Sequence, residues 1–495
     1  MNNKVKAALA GAGALTAVNA VRAAMFVPEK KDWGTAEPEK IDVERAQEHI
    51  SGAIQIKTVS YPDKSLVDFG EFEKFQKFLE ESFPLIHKTM EKEIVHEASL
   101  MYRWKGTNPD LDPMAMLSHQ DVVPIEEGTE DDWTHPAFSG YNDGEFIWGR
   151  GALDMKNHLI CVMEAIENLI AEGFQPERDV YLCFGQDEEV VAPGDSGAKA
   201  MMEVFKERGI HLDSLVDEGG AVLDLNIPGV IKNKKLIGVG IAEKGYTDIK
   251  ISVHSDGGHS SQPPKHSAIG EIADVVKDLE NHQFKSSLMP FVSELFSGIG
   301  RNCTYPARLV TCNIPFMKPL IKEVMKQIPP AACLVRTTTA VTMTEGSPAA
   351  NVLAQNASIT VNFRQMPGTT VEDVVKHIRK VCRNKDINIE ILKQKEASKF
   401  SPTDSVPFKI LEKICKQQNP DSFVAPYLVM GGTDACYYEP VCENILRYSP
   451  FNVTVEELRC THNTNERLPL KTIEEAITFF MRWVRRASSE NGLEE

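Results

Sequence analysis

The chain has 495 residues, of which 42% are hydrophobic and 25% are charged. This composition is typical of a globular protein, and because the length exceeds that of one simple domain, we expect two domains. The formal net charge is −17, and the sequence has no cluster of lysine and arginine interleaved with aromatic residues. A nucleic-acid partner is therefore excluded, and the acidic balance indicates a solubilising surface rather than an acidic interaction face.

The N-terminal segment has the layout of an export signal or a short membrane anchor. Lys4 and Lys6 precede an uncharged, alanine-rich run at residues 7–21. At about 1.5 Å per residue this run would form a helix of roughly 22 Å, which is shorter than the roughly 30 Å hydrocarbon core of a bilayer, so a membrane span is not predicted. We expect a secreted or membrane-anchored protein, the alternative being a soluble arm on a cytoplasmic one.

The ten cysteines are scattered, without a CxxC pair or a regular spacing. Cys161, Cys183 and Cys333 lie in apolar surroundings that are typical of buried free thiols. The sequence therefore contains no recognisable disulfide framework, and this counts against export.

From residue 43 to residue 216, helical patterns alternate with short apolar runs. Helical periodicity covers residues 43–54, 69–83 and 159–170. Apolar runs typical of buried strands cover residues 100–104, 114–117, 180–184 and 215–216. This alternation predicts an α/β fold with parallel strand pairing.

Polar and acidic residues follow the ends of these strands. The candidates are His119 and Asp121 after the run at 114–117, Asp154 before the helix at 159–170, the acids Asp187, Glu188 and Glu189 after the run at 180–184, and Asp217 and Glu218 after Val216. They recur at intervals of 28 to 35 residues, which is the spacing of βαβ units. Because the carboxyl ends of parallel strands meet at one edge of a sheet, we expect these side chains to converge.

A cluster of acids at one edge would be costly unless a cation were present. The ligand set predicted from the pattern is His119, Asp154, Glu189 and Asp217, with one further histidine, for which His462 in a polar loop is the candidate. Taken singly, each residue fits a surface turn, and Asp154 fits a helix cap. Imidazole and carboxylate suit Zn²⁺, and a pair of ions needs a bridging carboxylate, for which Asp154 is suited.

The pattern changes after Glu243. Alternating apolar and polar residues at 246–254 and 359–363 predict strands with one exposed face. Further predicted elements are helices at 269–279 and 371–381 and strands at 387–392 and 445–448. A second domain with an antiparallel sheet is therefore expected, and the proline-containing stretch at 285–345 is longer than a compact domain of this kind requires.

Seven motifs occur in the order SHQDVVP, GRGALDMKN, GQDEE, VDEGG, GGHSSQPP, GGTDA and THNTNE. Together they resemble the M20 family of co-catalytic zinc peptidases and amidohydrolases, and most closely the branch of carboxypeptidase S and the N-fatty-acyl-amino-acid hydrolases. The resemblance covers residues 45–490. It implies a zinc-dependent exopeptidase-like catalytic domain at 45–243 and 399–495, with a mostly parallel central sheet and helices on both faces. An α+β lid or dimerisation domain would be inserted at 244–398, and residues 1–44 would form the signal- or anchor-like segment.

The resemblance also implies a role for each ligand. His119 and Asp217 would hold one zinc ion, Glu189 and His462 the other, and Asp154 would bridge them. Glu218 is the alternative to Asp217 within VDEGG, and Co²⁺ or Mn²⁺ could substitute for zinc.

The remaining motifs would supply catalysis and substrate binding. By resemblance, Glu188 is the general base, Asp121 orients His119, and His259 reaches a neighbouring active site across a homodimer. Arg364 would bind a substrate carboxylate, aided by the backbone N–H groups of Gly431, Gly432 and Thr433. Alternative interpretations are a strand-edge salt bridge for Arg364 and an ordinary exposed turn for His259.

We therefore expect hydrolysis of an amide bond next to a free carboxylate, in a dipeptide, a short peptide or an N-acyl amino acid. One alternative is a deacetylase or deacylase of small metabolites, which would keep the same ligands and differ in the lid. The other is a noncatalytic binding module, against which the complete ligand set argues. CYYEP follows GGTDA where the branch would have a more basic continuation, and this leaves the acyl or side-chain preference open.

Overall fold

The computed structural model describes residues 16–190, 195–382 and 386–494. Residues 16–25 are helical. The first part of the chain then forms α1 (Val43–Gln55), α2 (Phe69–Ser82), α3 (Pro84–Thr89), β1 (Glu91–Val95), β2 (Ser99–Trp104), β3 (Met114–His119), β4 (Tyr141–Asn142), β5 (Phe146–Trp148), α4 (Lys156–Ala171), β6 (Val180–Gly185), α5 (Gly197–Glu207), β7 (Ser214–Asp217), β8 (Ala221–Ile227) and β9 (Ile231–Glu243).

The middle part forms β10 (Tyr246–His254), β11 (Gly258–His259), α6 (Ala268–Asn281), α7 (Pro290–Arg301), α8 (Tyr305–Thr311), α9 (Ile314–Gln327), α10 (Pro329–Ala332), β12 (Thr338–Glu345), β13 (Val352–Leu353), β14 (Asn356–Arg364), α11 (Val371–Val381) and β15 (Asn388–Lys395). The last part forms α12 (Val406–Gln418), β16 (Ser422–Val429), β17 (Ile445–Arg447), α13 (Val455–Leu458), β18 (Arg467–Pro469) and α14 (Ile473–Ala487). Short 3₁₀ helices lie at Lys64–Leu66, Glu130–Asp132, Asp434–Tyr438 and Leu470–Thr472.

The large sheet has the strand order β1-β2-β6-β3-β7-β17-β9-β16, and β8 pairs with β9. The pairs β3/β6, β3/β7, β7/β17 and β9/β16 are parallel. Every residue of β3 and of β6 is buried, as expected for strands covered on both faces. The predicted mostly parallel sheet is thus confirmed.

Helices cover both faces of this sheet. Apolar residues of α1, α4, α12 and α14 pack in one buried cluster, and those of α5 and the turn at Asp434–Tyr438 pack in another. The register sets His119, the last residue of β3, opposite Gly185, the last residue of β6. The polar residues that follow these strands therefore begin at the same edge of the sheet.

A second, four-stranded sheet has the order β12-β14-β10-β15 with antiparallel pairing throughout. Residues of α6 and α11 pack on it in a separate apolar cluster with Ile249, Ile251 and Val361. This matches the predicted half-exposed sheet with two helices. Helices α7–α10 fill most of the long stretch at 285–345, and Phe291, in α7, belongs to the core cluster of the large sheet.

No helix formed by the described residues is long and apolar enough to cross a membrane.

Candidate metal centre and active-site pocket

His119 ends β3 and is 1% exposed. Its Nδ1 atom lies 2.9 Å from the carbonyl oxygen of Asp121 and 3.3 Å from Asp121 Oδ1. The Asp121 carboxylate also accepts hydrogen bonds from Ser60 Oγ at 2.5 Å and from the backbone N–H groups of Glu188 and Glu189, each at 3.2 Å. Asp121 therefore contacts the imidazole of His119 and also holds the acidic segment after β6 at the end of β3.

Asp154 lies between two histidines that are far apart in the sequence. Its Oδ1 is 3.1 Å from His119 Nε2, and its Oδ2 is 3.0 Å from His462 Nε2. His462 Nε2 is also 3.0 Å from Glu189 Oε2. The N-cap of α4 is Met155, so the alternative of Asp154 as the cap does not hold. A carboxylate within reach of both imidazoles has the arrangement expected of a shared metal ligand.

Glu466 is a site residue that the sequence pattern did not indicate. Its Oε1 accepts hydrogen bonds from the N–H groups of Leu153 at 2.8 Å and Asp154 at 3.1 Å, and Arg150 Nη1 donates to its Oε2 at 2.7 Å. Burial raises the pKa of Glu466 to about 7. The buried Glu466–Arg150 pair thus holds the backbone at Asp154. Its only signal in the sequence is the position of Glu466 as the last residue of THNTNE.

The two acids at the end of β7 point in different directions. Glu218 Oε1 lies 3.5 Å from His119 Nε2. Asp217 accepts hydrogen bonds from the N–H groups of Glu218 and Ala435, each at 2.8 Å. Among the described residues, the clusters of three side chains close enough to hold an ion include Glu218 and not Asp217. The geometry thus favours Glu218 over Asp217, which the sequence pattern had predicted, as the acid beside His119.

Repulsion among buried acids sets the electrostatics of the cluster. Burial and the charge of Glu218 raise the pKa of Glu188 well above its ordinary value. Burial and the charge of Asp154 raise the pKa of Glu218 to about 8. Hydrogen bonds with Asp154 and Glu189 raise the pKa of His462 to about 10. Carboxylates that repel one another beside imidazoles form a donor set that fits divalent metal ions.

This cluster opens into a pocket of about 400 Å³ that is also lined by Lys244, Arg364 and Lys395. Arg364 ends β14, and its guanidinium group lies 4.5 Å from the centre of the Tyr246 ring. Its Nε donates to Asn362 Oδ1 at 3.3 Å. A pocket that combines acids able to hold a metal ion with basic side chains suits a substrate that carries a carboxylate near the reacting bond.

Gly431, Gly432 and Thr433 line the same pocket. The N–H group of Thr433 donates to Glu243 Oε2 at 3.0 Å, and its hydroxyl donates to Glu243 Oε1 at 2.6 Å. Arg447 Nε donates to Glu243 Oε1 at 2.5 Å, and both charged residues are 1% exposed. The N–H group of Thr433 thus binds Glu243 and anchors the loop. The resemblance had instead predicted that this N–H group contacts the substrate carboxylate. No sequence pattern indicated the Glu243–Arg447 pair.

His259 does not belong to the described lining of this pocket. It is exposed in β11, where it pairs with Val352 of β13. Its Nδ1 lies 3.1 Å from the N–H nitrogen and 2.8 Å from the hydroxyl of Ser261. Within one chain, the structure therefore does not bring His259 together with the other predicted site residues.

Comparisons with known proteins agree with this geometry. The model of peptidase family M20/M25/M40 matches residues 115–486. The chain is 36% identical over 449 residues to a probable carboxypeptidase S-like 2 of Dictyostelium discoideum, a match that covers 90% of this chain and 85% of the relative. It is 29% identical over 469 residues to the N-fatty-acyl-amino acid synthase/hydrolase PM20D1 of Mus musculus, covering 92% and 89% of the two chains.

A solved structure shows the same fold. It is the M20 family metallo-carboxypeptidase of Sulfolobus solfataricus, with a TM-score of 0.64, 14% sequence identity and coverage of 89% of this chain and 98% of that one. The family model alone spans most of the chain, and the His and acidic residues described above supply the metal-binding groups that such an enzyme needs. The chain therefore belongs to peptidase family M20/M25/M40 and is a hydrolase of the metallopeptidase or amidohydrolase type.

Proposed function

We propose that the enzyme hydrolyses an amide bond next to a free carboxylate, in a dipeptide, at the C-terminus of a short peptide, or in an N-acyl amino acid. One observation carries the proposal: acidic and imidazole groups of the metal cluster share a pocket with Lys244, Arg364 and Lys395. The scissile amide would lie against the cluster while a basic group holds the carboxylate. Relatives named as a carboxypeptidase and as an acyl-amino acid hydrolase support both substrate classes.

The proposed metal content is two Zn²⁺ ions, for which Co²⁺ or Mn²⁺ could substitute. His119 and Glu218 would hold one ion, Glu189 and His462 the other, and Asp154 both. The 3.0 to 3.1 Å approaches of Asp154 to the two imidazoles support this assignment. When bound, such ions polarise a carbonyl group and make water a stronger acid.

Glu188 is the proposed general base. It lies in one cluster with His119 and Glu218, and burial and the charge of Glu218 raise its pKa, which makes its carboxylate a stronger base than an exposed one. It would accept the proton of the attacking water and deliver it to the departing amine, while Asp121 keeps His119 in place.

Arg364 is the proposed ligand of the substrate carboxylate, because its planar group can donate two parallel hydrogen bonds. The backbone N–H groups of Gly431 and Gly432 would lie close to the same carboxylate. A deacylase of small metabolites remains the second candidate, since it would use the same metal cluster with different contacts in the lid.

We further infer a lid at residues 244–398 and a homodimer formed through it. The lid limits are supported by a hydrogen bond from Ser398 N to Glu243 O at 3.2 Å, which joins the points where the chain enters and leaves the lid. In the dimer His259 would reach the partner's pocket and donate to the carbonyl oxygen as negative charge develops. Its exposure, away from the pocket of its own chain, agrees with this role.

We also propose that the protein is secreted or held at a membrane by its N-terminal segment. Residues 16–25 form a helix on which Val18, Val21 and Met25 are exposed. A cytoplasmic protein is the alternative.

A substrate panel tests the proposed function. Purified protein is assayed against dipeptides, N-acetyl amino acids and N-fatty-acyl amino acids, with and without chelator. Turnover confined to substrates with a free carboxylate, and lost with chelator, supports the proposal, whereas equal turnover of the corresponding amides argues against it. Metal analysis of Glu218→Ala and Asp217→Asn separates the two acids, because only loss of Glu218 should remove metal.

A further inference from the structure

Helices α7–α9 and their flanking residues have a charge balance unlike that of the rest of the protein. Residues 285–336 contain seven lysines and arginines and two glutamates, whereas the whole chain has a net charge of −17. One of the two acids, Glu323, is paired with Lys326 at 2.5 Å. This segment therefore has a net positive charge on an acidic protein.

The N-terminal helix at residues 16–25 packs against α8 of this segment. Asn19 Nδ2 donates to the carbonyl oxygen of Leu309 at 3.1 Å, and Arg22 Nη2 donates to that of Cys312 at 3.0 Å. Tyr305, at the start of α8, donates through its hydroxyl to the carbonyl oxygen of Ala20 at 3.3 Å. The helix and α8 therefore form one continuous surface.

Apolar side chains are exposed on both parts of that surface. Val18, Val21 and Met25 are 56%, 58% and 75% exposed, and their spacing puts them on one stripe of the helix. The helix packs on the protein through the neighbouring face, which includes the fully buried Ala23. Val310 of α8, which follows the residue bonded to Asn19, is 57% exposed. We call Val18, Val21, Met25 and Val310 the apolar stripe.

Basic side chains border the apolar stripe. Arg22, Arg301 and Lys318 line a cavity of about 570 Å³ together with Met25 and Phe26, and the one acid among the described residues of the lining is Glu294. The Arg301 guanidinium group lies 5.0 Å from the centre of the Phe26 ring and donates to the carbonyl oxygen of Val27 at 3.1 Å, so it is held beside the end of the N-terminal helix.

We propose that the apolar stripe and the basic residues of α7–α9 form a surface that binds anionic lipid bilayers. Exposed aliphatic side chains flanked by lysine and arginine are the features by which a helix lies in the interface of a charged membrane. A neutral protein partner would use the apolar stripe but would not require the basic residues. The inference rests on the proposed membrane association of the N-terminal segment and is independent of the proposed amide hydrolysis. It assigns a role to residues 285–336, which the lid architecture does not need.

Vesicle flotation of the full-length protein tests this surface. We expect the protein to float with vesicles that contain about one third phosphatidylserine, to bind vesicles of phosphatidylcholine alone at least tenfold more weakly, and to be released by salt. The double variant Val18→Glu/Val21→Glu and the double variant Arg301→Glu/Lys318→Glu should each lower binding at least tenfold. Hydrolysis of a soluble substrate by either variant should be unchanged, which separates this result from the test of the proposed function.

The matched control is Ile269→Glu, because Ile269 is 50% exposed on a helix of the small sheet. This variant should bind vesicles as the unaltered protein does. Three outcomes would overturn the inference: no flotation of the unaltered protein, equal binding to neutral vesicles, or binding that both double variants retain. The last outcome would place any membrane contact elsewhere on the chain.

Discussion

At the scale of single residues, the site depends on acids that lie side by side and have different tasks. Asp121 is buried and accepts four hydrogen bonds or close contacts that fix His119 and the segment after β6. Glu189 lies in a cluster with His119 and Asp154 and contacts His462, whereas Glu188 lies in a cluster with His119 and Glu218. The proposed ligand Glu189 and the proposed base Glu188 would thus be neighbours in sequence that belong to different groups of metal-ligating side chains.

Glu188→Gln should lower kcat by about 10²- to 10⁴-fold, because the amide cannot accept the proton of the attacking water. Bound metal should stay near the unaltered level, since the proposed ligands are other residues. Steady-state kinetics and elemental analysis on the same preparation measure both. Glu189→Gln is the matched comparison and should lose metal. Turnover of the Glu188 variant within tenfold of the unaltered enzyme would refute its assignment as the base.

Glu243→Gln should lower the free energy of unfolding by about 3 to 5 kcal/mol, because Arg447 would keep a buried charge without its carboxylate partner. The pair is 2.5 Å apart and both residues are 1% exposed. Urea denaturation measures the change. The double variant Glu243→Gln/Arg447→Met is the control and should recover much of the loss, because it removes the unpaired charge. Equal destabilisation of the single and double variants would mean that the ion pair is not the cause.

At the scale of elements, α5 links the large sheet to the loop that follows β16. Phe205 is fully buried, with its ring centre 4.9 Å from that of Tyr181 in β6 and 6.1 Å from that of Tyr438. Phe205→Ala should cost about 3 to 5 kcal/mol of stability, because it leaves a cavity between these rings. Lys206→Ala, at the exposed neighbouring position, should change stability by less than about 0.5 kcal/mol. Similar urea midpoints for the two variants would contradict this packing.

The elements also explain what the sequence could predict. Buried runs such as 114–117 and 180–184 identified β3 and β6, and parallel pairing made the convergence of His119 with the later acids predictable. The choice between Asp217 and Glu218 was not predictable in this way. Successive side chains at the end of a strand point to opposite faces, so an uncertainty of one residue in the end of β7 exchanges the two acids.

Contacts between distant segments could not be inferred from local patterns. The Glu243–Arg447 pair joins residues 204 positions apart, and the N-terminal helix meets α8 across about 290 positions. Hydrophobic periodicity predicts which face of an element is buried but not which element covers it. The contact of residues 16–25 with α8 was therefore not predictable from the alanine-rich pattern of the N-terminal segment.

At the scale of the whole molecule, metal binding and folding should be coupled. The cluster joins β3, the start of α4, the segments after β6 and β7, and the loop of His462, so bound ions would connect all of them. Removal of metal by a chelator should lower Tm, by an amount that corresponds to about 2.7 kcal/mol when the metal is present at 100 times its Kd. Scanning calorimetry measures this, with Asp154→Asn as a control that should respond much less to chelator. An unchanged Tm would argue against metal as a structural link.

Subunit mixing tests whether two chains share an active site. His259→Ala and Glu188→Gln proteins should each be nearly inactive, the first because its partner lacks the group that stabilises negative charge and the second because it lacks the base. After unfolding and refolding together in equal amounts, half of the dimers should be mixed, and each mixed dimer should contain one intact site. Activity should therefore return to about one quarter of the unaltered level. Activity no higher than the sum of the separate variants would mean that His259 does not act across a dimer, and a His259→Ala protein with full activity would remove it from the mechanism.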